Sequence, residues 1–139
     1  MNNTDSNLNI LFQISIKAAW APLAVYILHG LAAKQWGHEP YVDPIIHFSA
    51  GIAIAFFFWQ SAECCQRYLG NLSVMGLAYI VFGMATATAI AWEIMEYGIA
   101  MNDGSTQWWT LLNTLRDLAL GMSGALLLVS LSVRNRRRG

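Results

Sequence analysis

Between Tyr68 and Trp92 the chain carries no charged residue, and then two acids, Glu93 and Glu96, arrive within one helical turn. An apolar run of this length suits a helix crossing the ~30 Å hydrocarbon core of a bilayer at ~1.5 Å per residue. The three-residue spacing places both carboxylates on one face of that helix. Ionisable groups inside a membrane segment are costly, so they are paired or turned towards a polar interior. What faces Glu93 and Glu96 therefore constrains the rest of the chain.

Composition extends this reading to the whole sequence. Of 139 residues, 56% are hydrophobic and 12% charged, against about 25% charged in soluble domains. The predicted fold class is all-α: an integral membrane bundle of four transmembrane helices in a single domain. A formal net charge of zero gives no basis for a nucleic-acid partner. The basic residues are unevenly spread, because four of the eight are Arg134, Arg136, Arg137 and Arg138. Adjacent cysteines such as Cys64 and Cys65 rarely form a structural disulfide, so they are read as free thiols on a short loop. Met1 to Asn9 is polar and has no basic residue, so no signal peptide is expected.

The four spans are predicted at about 10–33, 44–62, 72–101 and 110–133. Lys17 interrupts the first and can snorkel towards the N-terminal side, Pro22 is expected to kink it, and His29 to bond a neighbouring helix. Trp36 and Tyr41 in the first loop suit a membrane interface, as do Trp108 and Trp109 before span four. Asp43-Pro44 reads as an N-cap followed by proline at the first helical position. His47 lies one turn inside span two, on the face of Asp43. Small residues that let helices approach closely occur at Gly51, Ala53 and Ala55, at Gly83 to Ala91, and at Gly121, Gly124 and Ala125. Asn102-Asp103-Gly104-Ser105 is a turn.

The arginine cluster places the C-terminus in the cytoplasm by the positive-inside rule, and four spans place the N-terminus there too. A C-terminal reporter is expected to be active in the cytoplasm. Activity outside it would reverse the orientation and move the polar site to the inner face.

With that topology, Asp43, His47, Glu93, Glu96, Arg116 and Asp117 converge on the outer half of the membrane. Four acids face one arginine and one titratable histidine, an excess of negative charge that protons, a cation or a cationic ligand must compensate. Three arrangements compete. One is a hydrogen-bonded polar core, with Arg116 paired to Glu93 or Glu96, His47 paired to Asp117, and Asp43 capping its helix. The second is a divalent metal site formed by Asp43, His47, Glu93, Glu96 and Asp117, a donor set suited to Zn, Mn, Fe or Mg. The third is a polar lipid headgroup site with Arg116 as the anion contact. A bound metal could activate water, with Glu93 or Glu96 as catalytic general base acting on a lipid-linked substrate. From another class, a short chain with small-residue faces suits an accessory subunit of a larger membrane complex. The expected partners are membrane lipids, and either other membrane proteins or further copies of the chain.

At Asp43-x-x-x-His47-Phe48, Glu93-x-x-Glu96 and Arg116-Asp117-x-x-x-Gly121-x-x-Gly124-Ala125, the chain resembles the VanZ-like group of small bacterial membrane proteins. It is also similar to the YjdF-like inner-membrane proteins. The likeness runs from about Asp43 to Leu128 and leaves span one outside. It departs from the VanZ-like pattern at Pro44, and at Glu96, where glutamine is usual. The resemblance implies an outward-facing polar site in the bacterial cytoplasmic membrane and, for VanZ itself, a link to glycopeptide-antibiotic resistance and the cell envelope. It implies no enzyme class.

Overall fold

The computed structural model describes residues 9–10, 12–36, 42–70, 72–104 and 110–138. Its elements are α1 (Trp20–Trp36, preceded by a π-helical turn at Ser15–Ala19), α2 (Val42–Cys64), α3 (Gln66–Leu69), α4 (Val74–Asp103) and α5 (Leu111–Arg136). Among the described residues, four helices are long and apolar enough to cross a membrane: Phe12–Leu31, Val42–Cys64, Val74–Asn102 and Leu111–Arg136. In a bilayer, a helix is the element that satisfies all backbone polar groups within itself.

Local signals explain most of the boundaries. The Ser73 hydroxyl caps α4 by accepting from the Gly76 amide at 3.0 Å, and the Thr110 hydroxyl caps α5 by accepting from the Asn113 amide at 3.2 Å. Gly104 ends α4 at φ +79°, with its N–H donating to the Ala100 carbonyl, a left-handed cap that glycine adopts without a Cβ penalty. The π-helical turn precedes Pro22, whose ring cannot donate to the Ala18 carbonyl and crowds it. The distortion expected at Pro22 is thus taken up by a wider turn one step earlier.

Three expectations need correction. Val42 is already helical, so Asp43 lies within the first turn rather than at the N-cap, and Pro44 is no longer its first residue. There the Asp43 charge still complements the helix N-terminus, and Pro44 still falls where intrahelical donors are not required. Cys64 is the last residue of α2, and Cys65 occupies the turn before α3; both are free and half-buried. The segment expected as a polar loop at 63–71 therefore contains the end of one helix and a short second one. The interface positions Tyr41, Trp108 and Trp109 lie outside the described residues, as does the side chain of Trp36.

Helix α2 is central. It packs most extensively on α5, and also on α1 and α4, while α4 packs on α5. The buried core lies in the arginine-bearing half of the bundle, where Ala55 and Trp59 of α2 meet Val81 and Ala85 of α4 and Ala125 and Val129 of α5. The outer surface carries large apolar side chains such as Leu28, Ile94 and Leu112, as a lipid-facing surface requires. The contact of α2 with α5 depends on glycine. A Cβ on Gly51 would overlap the Gly121 carbonyl, and one on Gly124 would overlap the Phe48 carbonyl.

The arginine end is fastened by Glu63. Its Oε1 accepts from the Trp59 indole N–H at 2.9 Å and from the Arg136 guanidinium, and Arg136 lies 5.8 Å from the centroid of the Trp59 ring. This half-exposed arrangement joins α2 to α5. Arg136→Gln is expected to lower stability by about 0.5–1 kcal/mol, the size of a partly exposed ion pair, measured by thermal unfolding in detergent. No change would show that the pair adds nothing to the α2–α5 contact.

Candidate functional site

The polar site occupies the half of the bundle opposite the arginine end. Helix α2 supplies Asp43 and His47, α4 supplies Glu93 and Glu96, and α5 supplies Arg116 and Asp117. The approach permitted by Gly51 and Gly124 brings His47 between the other two helices. Its Nδ1 lies 3.6 Å from Glu93 Oε1 and its Nε2 lies 3.9 Å from Asp117 Oδ2. The imidazole thus has a carboxylate on each side.

His47, Glu93 and Glu96 each offer a ligand atom, and these atoms lie within 4.8 Å of one another. Glu93 is buried at 5% exposure, and its Oε2 has no hydrogen-bond partner among the described residues. An unpartnered buried carboxylate oxygen is costly, so the site as folded has acceptor capacity to spare. Glu96 accepts from the Trp92 indole N–H one turn before it. Trp92 in turn packs against Tyr26 and His29 of α1, with ring centroids 6.3 and 6.4 Å apart. His29 thus meets Trp92 of α4 through a tilted ring contact rather than the expected hydrogen bond.

Arg116 does not pair with Glu93 or Glu96, as the polar-core arrangement expected. Its Nε donates to Oδ1 of its sequence neighbour Asp117 at 2.9 Å. The carboxylate pair on α4 is left without that cation. Asp117 uses one oxygen for Arg116 and turns the other towards His47, so it links them. Neither Asp43 nor Asp117 belongs to the three-residue ligand group. Asp43 remains close enough to act electrostatically on His47, Glu96 and Arg116.

Beside the cluster is a cavity of about 300 Å³. Its walls are largely apolar and come from α1 (Pro22, Val25), α2 (Ile46, Ala50, Ile54) and α4 (Ala89), with His47, Glu93 and Asp117 exposed to it. It exists because α1 leans on α2 without close backbone approach to α4 or α5. The Trp92 ring reaches across part of the gap to Tyr26 and His29. The sequence reading missed this cavity, and the one hint to it was a set of small residues, Ala50, Gly51 and Ala89, facing a polar cluster.

Four apolar spanning helices around an intramembrane carboxylate–histidine cluster define a small polytopic membrane protein. The chain belongs to the family described as predicted membrane protein (DUF2238), which matches residues 9–138. The match takes in span one, which the motif resemblance had left outside. It supports a family of small membrane proteins; the VanZ-like and YjdF-like likeness rests on the short motifs alone. No curated protein and no solved structure matches the chain.

Proposed function

We propose that His47, Glu93 and Glu96 hold a divalent metal ion at the head of the apolar cavity, and that the cavity receives the apolar part of a lipid-like ligand. The observation that carries this reading is the grouping of three ligand atoms within 4.8 Å, one of them on a buried glutamate with an unpartnered oxygen. One imidazole and two carboxylates suit Zn, Mn or Fe better than Mg, which favours oxygen ligands alone. Asp117, facing the far nitrogen of His47, occupies the place of the carboxylate that orients a metal-ligating histidine. Three protein ligands leave a coordination position free. The set is thus competent for metal-assisted hydrolysis of a lipid-linked substrate. The setting is the bacterial cytoplasmic membrane, with the site towards the outer face.

A second reading has its own support. The position of His47 of α2 between Glu93 of α4 and Asp117 of α5 is what a polar lock between helices requires. Under it, the chain serves as a structural or accessory subunit, and a stoichiometric partner should co-purify.

Elemental analysis of the full chain purified in detergent separates the two. Near-stoichiometric Zn, Mn or Fe is expected in the parent, and a loss of at least tenfold in His47→Ala. Asp43→Asn should retain the metal, because Asp43 is outside the ligand group. A parent without metal, unable to take any up after chelation and reloading, would remove the metal site and favour the helix lock.

A further inference from the structure

A second cavity lies at the other end of the bundle, in a groove of about 690 Å³ between α4 and α5. Met75, Ala78 and Phe82 form one wall, and Leu126, Val129 and Val133 the other. These positions recur every three or four residues, so each set is a continuous stripe along its helix. At the mouth stand Arg134, Arg137 and Arg138, all exposed. The Val133 carbonyl still accepts from the Arg137 amide, which carries the helical path past Arg136.

The charges here are unbalanced. Among the described residues, no aspartate or glutamate lines the groove. Arg134, Arg137 and Arg138 meet no carboxylate among the described residues, whereas Arg136 is taken by Glu63. From Leu126 to Arg137 is about 16 Å at ~1.5 Å per residue, close to half of the ~30 Å hydrocarbon thickness. The groove thus runs the depth of one leaflet, apolar along its length and cationic at the headgroup level. Tyr79 is 73% exposed on its rim, with a phenol suited to the interface.

We propose that this groove binds an anionic phospholipid. The phosphate is held by Arg134, Arg137 and Arg138, whose guanidinium forks match phosphate oxygens. An acyl chain lies between Phe82 and Val129. The site is separate from the carboxylate–histidine cluster and does not depend on it.

The test uses the full chain in detergent, titrated with dioleoyl phosphatidylglycerol or dioleoyl phosphatidylcholine and read by native mass spectrometry. Phosphatidylglycerol is expected to bind on the order of 100-fold more tightly, at about fivefold for each arginine near the headgroup. Arg134→Gln/Arg137→Gln/Arg138→Gln should abolish the preference, while Arg136→Gln should keep it. Ser130→Trp narrows the apolar floor, leaves every arginine in place, and should also lose the tight phosphatidylglycerol binding. Equal binding of the two lipids would overturn the proposal. So would a preference that survives the triple change or Ser130→Trp, or displacement of the lipid by inorganic phosphate alone.

Discussion

Glu93→Gln combined with Glu96→Gln is expected to remove bound metal while leaving the bundle folded. The change deletes two carboxylates and keeps their shape. It strands no cation, because Arg116 is held by Asp117 at 2.9 Å. It also relieves the cost of holding two close acids in a low-dielectric interior. The metal effect should be large. A ligand at 100 times its dissociation constant stabilises the folded state by about 2.7 kcal/mol. Thermal unfolding of the parent should therefore rise on metal addition and fall on chelation, and the double variant should respond to neither. A double variant destabilised by about 3–5 kcal/mol, the cost of breaking a buried pair, from a parent that carried no metal, would leave only the helix-locking role.

Gly124→Ala, like Gly51→Ala on the facing helix, should be strongly damaging for a single added methyl. The added Cβ would overlap the Phe48 carbonyl and crowd the Ile52 amide at 3.1 Å. Backbone cannot swing aside as a long side chain can, so α2 and α5 must separate. Overpacking of this kind costs about 1–3 kcal/mol and sometimes more. Separation would also draw His47, the neighbour of Phe48, away from Asp117. Metal retention should fall along with stability. Gly121→Ala is the matched control, since its Cβ would meet the Ala89 Cβ at 3.7 Å and the His47 carbonyl at 3.8 Å, both ordinary contacts. It should unfold within about 1 kcal/mol of the parent, the range of tolerated core changes. If both substitutions behave alike in detergent unfolding, the close contact of α2 with α5 is not as described.

The two expectations share a cause. The proposed ligand group is assembled from α2 and α4, and the carboxylate proposed to orient it comes from α5. Small residues set the distances between those helices. Polar chemistry and glycine packing in this protein are one design seen at two positions, so a change in either should be felt in metal content.

The sequence alone determined the class of fold, the approximate spans and the inventory of charges inside the membrane. Long apolar runs leave the backbone no alternative to helix in a bilayer. Ser73, Thr110 and Gly104 act locally on their own helix ends, so those boundaries could be read within a few residues. Convergence of His47, Glu93, Glu96, Arg116 and Asp117 on one half of the bundle followed from topology and helical rise. Tertiary structure decided which of them meet. Arg116 took its neighbour Asp117 instead of a glutamate, His47 settled between two carboxylates, and Asp43 stayed outside the ligand group. The cavity beside α1 and the groove beneath the arginines were equally invisible. The physical reason is rotational. These helices are apolar nearly all round, because lipid and neighbouring helix are both apolar solvents. Sequence pattern then gives little sign of which side of each helix turns inward, and packing of small residues at Gly51, Gly121 and Gly124 settles it.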